Sequence, residues 1–374
     1  MKIRSLILFI LSISLFMLVA CASGTGPSVA PTTAPPGASP SGQVRFMTNE
    51  APEELGGFRD LITAFAKVQP NVQVTLQNIP DDDAFNKALA ADFAAKTPPD
   101  VFVINYRFFG QFAIKGALQP IDTYIANSKV YKPADFYPAA LQAFQFKGQQ
   151  YCIPQNLSSL EVYYNKKLFA AANVPLPKAG WTWNDFLSAA KALTRDTNGD
   201  GKPDQYGAGI AGSTIRLAPF IWAHGGELVD DVNRPTRLTI DSPAAREAFQ
   251  WFVDLQVKEH VVPSKSDEAT QDSQTRFEHG TLAMFFQSRV ITPELRETIN
   301  DFEWDVAPFP GDKNTATILH SDGYCMTAGS KNKDAAWAFI EFANGPVGQS
   351  TIVASGRTVP SLQAIAQSPA FLGQ

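Results

Sequence analysis

An α/β protein with two domains is predicted from the length of the chain and from the order of its apolar segments. The 374 residues are enough to build two buried cores. Between residues 44 and 104, three strand-like segments alternate with two helix-like segments. That order is typical of a largely parallel sheet, in which ligands bind beyond the carboxyl ends of the strands.

The elements of this first region follow from their apolar patterns. Residues 44–48 and 101–104 are short apolar runs, and alternate residues of 72–76 are apolar, so all three segments are predicted strands. Helices are predicted between them from apolar side chains at three- and four-residue spacing. These stripes are Leu55, Phe58, Ile62 and Phe65, and then Phe85, Leu89 and Phe93.

Three later helices have recognisable ends. Thr182 followed by Asp185 resembles a capping box, and Ser242-Pro243 is a typical helix start. Residues 334–343 form the last clear helix, because Asn-Gly-Pro follows it. The helix after Ser242 is predicted to bury Phe249, Phe252 and Val253.

Composition and motifs exclude several classes of protein. With 31 basic and 36 acidic residues, the chain lacks the basic excess typical of nucleic-acid binding. Four histidines and three cysteines leave little room for a histidine-based metal site and exclude a disulfide scaffold or a cysteine-rich zinc protein. No Gly-x-Ser-x-Gly, P-loop or glycosidase-like carboxylate pair is found, so an enzyme is the weaker alternative.

The N-terminus is typical of an exported lipoprotein. Two basic residues precede an apolar run that is shorter than the ~20 residues needed to span a bilayer, so residues 1–20 are a predicted signal peptide. Leu-Val-Ala-Cys at the end of the run resembles a lipobox, in which Cys21 receives a lipid. Residues 21–42 are a predicted flexible tether. An ordinary signal peptide or an N-terminal anchor helix is the alternative.

Residues 196–204, with the sequence DTNGDGKPD, resemble a calcium-binding loop. Oxygen-bearing side chains alternate along the loop, and Gly201 allows the chain to turn. The backbone carbonyl of Lys202 can then serve as a further calcium ligand. Gly207 stands where an EF-hand has a bidentate glutamate, so this is not an EF-hand. The alternative is a polar surface turn. The predicted ligands of a structural calcium ion are Asp196, Asn198, Asp200, Lys202 and Asp204.

Six further segments occur in a distinctive order. They are PDVFVINY (99–106), GQQYCIP to YYNKKLF (148–169), WTWNDFLSAAKALT (181–194), FEHGTLAMFF (277–286), FEWDVAPFPG (302–311) and GSKNKDAAWAFIEF (329–342). Their order and spacing resemble family 1 extracellular solute-binding proteins of ABC importers, which are the maltose- and glycerol-phosphate-binding-like proteins. The resemblance covers residues 44–361.

The resemblance implies a two-lobed periplasmic-binding-protein-like fold of class II type. Each lobe would be a mainly parallel sheet flanked by helices, and crossing hinge strands near 154–160 and 320–325 would join the lobes. Similar proteins continue well past residue 372, which leaves open whether the second lobe is complete. The implied boundaries are 43–155 with 324–350 for lobe 1, and 156–323 with 351–374 for lobe 2.

The function implied by the resemblance is capture rather than catalysis. The protein would be an extracytoplasmic, lipid-anchored monomer that binds a mono- or oligosaccharide and delivers it to the transmembrane subunits of an ABC permease. No cofactor is expected besides the possible calcium ion. A glycerophosphodiester, polyol or peptide ligand, or a sensor as partner, is the alternative. The net negative charge disfavours an anionic ligand, although one arginine such as Arg357 could reverse that locally.

Candidate ligand-binding residues follow from the needs of a sugar site. Flat aromatic side chains contact sugar rings, and polar groups bind the hydroxyls, so Tyr106 and Trp222 are predicted platforms; a half-buried core position is the alternative for Trp222. The polar candidates lie at strand ends or in segments similar to the family's crossing strands. They are Asn49, Glu50, Asn105, Asn156, Ser158, Gln287, Asp322, Gly323 and Arg357.

Cys152 and Cys325 also lie in segments similar to the family's crossing strands, which are spatial neighbours. Outside the cytoplasm, two such cysteines can form a disulfide. The alternative is a pair of small buried side chains that act as apolar filler. The resemblance therefore makes a disulfide an open expectation at this point.

Overall fold

The computed structural model describes residues 40–373, except residues 51, 233, 353, 355 and 357 and the side chains of residues 53 and 54. The predicted signal peptide, Cys21, most of the predicted tether and Arg357 therefore lie outside the described residues. Among the described helices, none is both long enough and apolar enough to cross a membrane.

Thirteen strands are found in the described part of the chain. They are β1 (Gly42–Thr48), β2 (Val72–Asn78), β3 (Val101–Asn105), β4 (Gln145–Phe146), β5 (Gln149–Gln150), β6 (Cys152–Pro154), β7 (Asn156–Asn165), β8 (Tyr206–Gly209), β9 (Leu282–Ser288), β10 (Trp304–Ala307), β11 (Leu319–His320), β12 (Asp322–Met326) and β13 (Val359–Pro360).

Sixteen α-helices accompany them within the same described residues. They are α1 (Pro52–Val68), α2 (Asp82–Ala94), α3 (Tyr106–Ile114), α4 (Asp122–Asn127), α5 (Pro138–Gln142), α6 (Lys166–Ala172), α7 (Trp183–Leu193), α8 (Thr214–Ala223), α9 (Pro243–Val257), α10 (Lys265–Thr270), α11 (Ser273–Glu278), α12 (Thr292–Thr298), α13 (Lys333–Ala343), α14 (Pro346–Ile352), α15 (Gln363–Ala366) and α16 (Pro369–Leu372).

The first sheet has the strand order β2-β1-β3-β12-β6. Strands β2, β1 and β3 are parallel, as the strand–helix alternation predicts. Strand β12 runs antiparallel to both of its neighbours, β3 and β6. The sheet is therefore mainly parallel, and its one reversed strand comes from a distant part of the chain.

The second sheet has the strand order β10-β7-β9-β8. Strand β7 is antiparallel to β10 and β9, whereas β8 and β9 are parallel. Three strands thus share one direction and β7 opposes them. The short strands β11 and β13 also pair with β7, so this long strand connects several distant segments.

Both sheets bury apolar side chains on both faces, because alternate residues of a strand point to opposite sides. In β1, Phe46 belongs to one core cluster and Met47 to another. In β7, Val162 and Tyr163 are divided in the same way. Helices α1 and α13 contribute to the cluster around Phe46. Each sheet therefore lies between layers of packed side chains, as expected for an α/β fold.

Two short connections carry the chain between the sheets. Gln155 separates β6 from β7, and Ser321 separates β11 from β12. The backbone N–H of Gln155 donates to the carbonyl of Asp322 at 2.7 Å, and the hydroxyl of Ser321 donates to the carbonyl of Asn156 at 2.6 Å. The two crossings are thus hydrogen-bonded to each other, within the segments predicted as hinges.

A disulfide joins Cys152 in β6 to Cys325 in β12. The two residues are paired in the antiparallel ladder, and both side chains are fully buried. The pairing that the sequence left open is therefore present in the structure. It ties the strand that leaves the first sheet to the strand that re-enters it.

Most helix predictions are confirmed, and one buried stripe is wrong at Phe249, although Phe252 of the same stripe packs against the core. The capping box of Thr182 and Asp185 begins α7, and Ser242 caps α9 with Pro243 in its first turn. However, Phe249 of α9 is 52% exposed, and the buried residues of that helix are Ala245, Ala248 and Leu255. The small Ala245 and Ala248 face the core instead, on a helix that packs against α8.

The last described segment contacts both sheets. Strand β13 pairs with the start of β7, and Leu362 belongs to the core cluster around β1. Farther on, Phe371 lies under the guanidinium of Arg289, which follows β9. Residues 359–372, which the sequence assigns to lobe 2, therefore pack on elements of each lobe.

Candidate ligand site between the two sheets

A network of polar side chains connects the end of β3 with the two crossings. The amide of Asn105 donates to one oxygen of Asp322 at 2.9 Å, and the amide of Asn156 donates to the other at 3.1 Å. The side-chain amide oxygen Oδ1 of Asn105 in turn accepts from Nε of Arg107 at 2.8 Å. Three predicted site residues thus meet, and their mutual hydrogen bonds fix the shape of this region.

Tyr106 and His320 lie beside this network with their rings in edge-to-face contact, 5.9 Å between centroids. Tyr106 begins α3 directly after β3, and its backbone N–H donates to Ser321 at the crossing. His320 pairs in β11 with Ser158 of β7, another predicted site residue. The Tyr106 hydroxyl and Nε2 of His320 are buried without a hydrogen-bond partner among the described residues.

The second sheet contributes Arg216 and Gln287 to the same region. Arg216 lies in the first turns of α8, just beyond β8, and Gln287 lies near the end of β9. A guanidinium Nη2–H of Arg216 donates to the amide oxygen of Gln287. Arg216 is close enough to influence the pKa of both Tyr106 and His320. The region is therefore built from both sheets.

Burial dominates the electrostatics of these groups. It raises the pKa of the Tyr106 hydroxyl, an effect that Arg107 and Arg216 oppose. Burial, reinforced by the two arginines, lowers the pKa of His320 to about 4, so its imidazole is neutral at pH 7. Burial also lowers the pKa of Arg216, but a guanidinium stays charged in proteins. The positive charge here therefore resides on arginine.

Other predicted residues have hydrogen-bond partners of their own or serve packing. The amide of Asn49 donates to Asp82 at 2.6 Å, in α2, and Asn78 donates to the carbonyl of Glu50. A Cβ atom at position 323 would lie only 2.8 Å from the ring of Phe144. Gly323 is therefore needed for the packing of that ring.

The second predicted platform, Trp222, lies near the end of α8. It is half buried and packs against the main core cluster of the second sheet. It makes no ring contact with Tyr106 among the described residues. The role of Trp222 as a platform stays a prediction. The predicted site residue Arg357 lies outside the described residues.

The predicted calcium loop is closed by its own hydrogen bonds. Asp196 accepts from the backbone N–H groups of Gly199 at 2.6 Å and Gly201 at 2.8 Å, and Asp204 accepts from Thr197 and Asn198. Among the described residues, no group of three His, Cys, Asp or Glu side chains is arranged to hold a metal ion. Calcium binding stays a prediction.

Sequence reasoning missed Arg107, Arg216 and His320. A usable signal existed for Arg216, because it follows the carboxyl end of a strand, where ligands bind in α/β sheets. His320 is the first residue of the predicted crossing segment 320–325 and could have been included among the binding candidates. Their convergence depends on segments about a hundred residues apart, which no local pattern reveals.

The two sheets, the crossings between them and the polar site at the crossings define a solute-binding receptor. The chain belongs to the bacterial extracellular solute-binding protein family, whose family model matches residues 51–350. The resemblance stated from the sequence is thereby confirmed, and so is a site of action outside the cytoplasm.

Individual relatives and a solved structure agree with this assignment. A maltotriose-binding protein of Pyrococcus abyssi is 27% identical over 308 residues, which are 81% of this chain and 62% of that protein. A binding protein of Brucella abortus is 26% identical over 309 residues, 81% and 72% respectively.

An ABC substrate-binding protein of Listeria monocytogenes, solved in complex with cycloalternan, superposes with a TM-score of 0.78 at 26% identity. The superposition covers 89% of this chain and 83% of that one. The predicted two-lobed periplasmic-binding-protein-like fold is therefore confirmed.

Proposed function

We propose that this protein captures a carbohydrate between its two sheets and delivers it to the transmembrane subunits of an ABC permease. The observation that carries the proposal is the meeting of Tyr106 and His320 with Arg216 and Gln287. Tyr106 directly follows β3 of the first sheet, whereas His320 lies in β11, which pairs with β7 of the second sheet. Arg216 and Gln287 also come from the second sheet and its helix α8. Buried polar atoms in that region that have no hydrogen-bond partner within the described ranges are suited to bind the hydroxyls of a solute.

The similar proteins support carbohydrate as the solute class. One of them is named for maltotriose, and another was solved with cycloalternan. An aromatic ring beside polar side chains is a typical way to bind a sugar, because the ring covers an apolar face and polar groups bind the hydroxyls. Tyr106 supplies such a ring in this chain.

The proposed mechanism is a population shift without chemistry. A ligand that contacts both lobes only when they are close together binds the closed state more tightly and therefore increases its population. The connections at Gln155 and Ser321 are the short segments that would absorb the rotation. The closed receptor would then present its cargo to the permease.

A further proposal concerns how the receptor is held at the membrane. Cys21 would carry a lipid that holds the protein at the membrane, with the tether of residues 21–42 as spacer. Replacing Cys21 with alanine in the full precursor should move the protein from the membrane fraction to the soluble fraction. Retention of the variant in the membrane fraction would contradict lipid anchoring at Cys21.

A thermal-shift screen tests the proposed function. A ligand at 100 times its Kd adds about 2.7 kcal/mol to the free energy of unfolding, which raises the melting temperature measurably. We expect a mono- or oligosaccharide to raise it, and Tyr106→Ala to weaken that response. If an amino acid or a peptide raises the melting temperature and no carbohydrate does, the proposed solute class is wrong.

A second tyrosine provides the control for this screen. Tyr124 is a half-buried residue of the first lobe that packs on Trp337, with 5.5 Å between ring centroids. Tyr124→Ala should destabilise the protein and leave the ligand response intact. Loss of the response in both variants would indicate general damage to the first lobe rather than a binding role for Tyr106.

A further inference from the structure

Among the described residues, Arg216 is a buried cation without a carboxylate partner. Its side chain is 8% exposed, and it forms no ion pair with the described residues. One guanidinium nitrogen donates to Gln287, which is neutral, and Nε is buried with no hydrogen-bond partner in the described part of the chain. Burying a charge without an opposite charge costs several kcal/mol, so a structure that keeps one usually supplies the counter-charge by other means.

The described surroundings of Arg216 include no carboxylate in an ion pair with it. Arg107 adds a second positive charge and lowers the pKa of Arg216. His320 is neutral at pH 7, and Asp322 directs its two oxygens to the amides of two asparagines. The site therefore combines two guanidinium groups with one carboxylate already engaged in hydrogen bonds, within a chain whose net charge is −5.

The unpartnered donors around Arg216 fit an oxyanion. A guanidinium presents planar N–H pairs that match a carboxylate or a phosphate, and such charge-assisted hydrogen bonds are about twice as strong as neutral ones. The buried hydroxyl of Tyr106 and Nε2 of His320 are further unpartnered polar atoms in the same region. A neutral sugar could accept hydrogen bonds from Arg216, but it would leave the buried charge uncompensated.

We propose that the solute is an acidic carbohydrate, whose carboxylate or phosphate group binds Arg216 with support from Tyr106 and His320. This inference rests on the proposed function and specifies its ligand. The net negative charge of the chain disfavours an anionic ligand, but the charge that faces the ligand is the local positive charge of Arg216. The inference therefore reverses that expectation. The rest of the ligand would lie against Gln287 and the ring of Tyr106.

The test compares matched neutral and acidic sugars by isothermal titration calorimetry at pH 7. Glucose and galactose are paired with glucuronate and galacturonate, and with the corresponding sugar 6-phosphates; short neutral and uronic oligosaccharides extend both series. We expect at least one acidic member to bind about tenfold or more tightly than its neutral counterpart. Arg216→Gln should weaken acidic binding about ten- to hundredfold and neutral binding far less.

Two variants keep this test interpretable. Arg246→Gln makes the same change of charge on an exposed position of α9 and should preserve the acidic preference. Arg216→Lys retains the charge without the planar pair of donors, so it should give an intermediate loss even if Arg216→Gln fails to fold. Circular dichroism confirms that each variant used is folded.

The outcomes separate this inference from the proposed function. If neutral sugars bind as tightly as their acidic partners, or if the acidic preference survives in Arg216→Gln, the acidic ligand is wrong and carbohydrate capture stands. If neither series binds, the proposed function itself fails. Glycerol phosphate that binds only when Arg216 is present, without any sugar acid binding, would support the oxyanion site and overturn carbohydrate as the solute class.

Discussion

Trp222 and Trp183 belong to the same lobe but have different surroundings. Trp183 is 6% exposed and stacks on Trp251 with 4.3 Å between ring centroids, whereas Trp222 is half buried at the edge of the core. We predict that Trp222→Ala weakens carbohydrate binding by about one to three decades, because a buried aromatic contact contributes a few kcal/mol. Isothermal titration and denaturant unfolding of each variant provide the measurement.

Trp183→Ala is the matched control for this prediction. It should lower the free energy of unfolding by about 3–5 kcal/mol, since it empties a packed core position. Trp222→Ala should lower it by less. Retained affinity in folded Trp222→Ala, together with a loss of stability as large as that of Trp183→Ala, would assign Trp222 to the core.

Because the imidazole of His320 is buried, we predict that the folded protein loses stability in acid. Its pKa is lowered to about 4 in the folded state, mainly by burial, whereas an unfolded histidine has its ordinary value near 6.5. Between these values the unfolded chain binds more protons, so the stability present above pH 6.5 is lost as the pH falls toward 4. Denaturant unfolding at pH 7 and pH 4.5 should show a smaller loss in His320→Gln than in the wild type.

An exposed histidine provides the comparison for the acid experiment. His279→Gln replaces a side chain that is open to solvent and should keep the pH dependence of the wild type. Equal losses of stability in the wild type, His279→Gln and His320→Gln would show that the His320 imidazole is not buried in its neutral form.

The residues of the candidate site were predictable only in part. Asn105 and Tyr106 could be selected because they follow a buried strand, and parallel strands place their ends at one edge of a sheet. Arg216 could not be recognised as unpaired, since that depends on every side chain that folds around it. The same limit applies to Phe249, which is exposed while Ala245 and Ala248 of the same helix face the core.

At the scale of elements, the loop of residues 196–204 predicts a response to calcium. We propose that its ordered side-chain oxygens bind one ion, since hydrogen bonds from the loop's own N–H groups hold Asp196 and Asp200 in place. Calcium should then raise the melting temperature relative to a chelator, and Asp200→Ala should remove the difference. Differential scanning calorimetry checks this.

Asp230 offers a control from a similar exposed loop. It accepts hydrogen bonds from the backbone and hydroxyl of Thr236, so Asp230→Ala also removes loop hydrogen bonds. That variant should keep its sensitivity to calcium. If the wild type melts at the same temperature with calcium and with chelator, residues 196–204 form a hydrogen-bonded turn only.

The disulfide between β6 and β12 should stabilise the protein by about 2–5 kcal/mol, because it closes a loop of 173 residues in the unfolded chain. The double variant Cys152→Ala with Cys325→Ala should unfold at a lower denaturant concentration than the wild type. A reductant should lower the midpoint of the wild type and leave that of the double variant unchanged. A wild-type midpoint that is insensitive to reductant would contradict the stabilising role.

For the whole molecule, the two crossings predict closure on the ligand. Because Gln155 and Ser321 are the short connections between the sheets, a rotation there would bring Tyr106 toward Gln287. Small-angle X-ray scattering should therefore give a smaller radius of gyration with a saturating carbohydrate ligand than without it. A sugar that produces no thermal shift serves as control, and an unchanged radius with the bound ligand would contradict closure.

The central position of β12 in the first sheet has a consequence for biogenesis. Strand β12 lies between β3 and β6, although the whole second sheet separates it from them in the chain. Because the polypeptide emerges N-terminus first, β1 to β3 are available early. Residues 322–326, which form β12, become available only later. Until then the edge of β3 is open and able to pair with other chains, and Cys152 lacks its oxidation partner. The first sheet therefore begins to form before the second sheet and is completed after it.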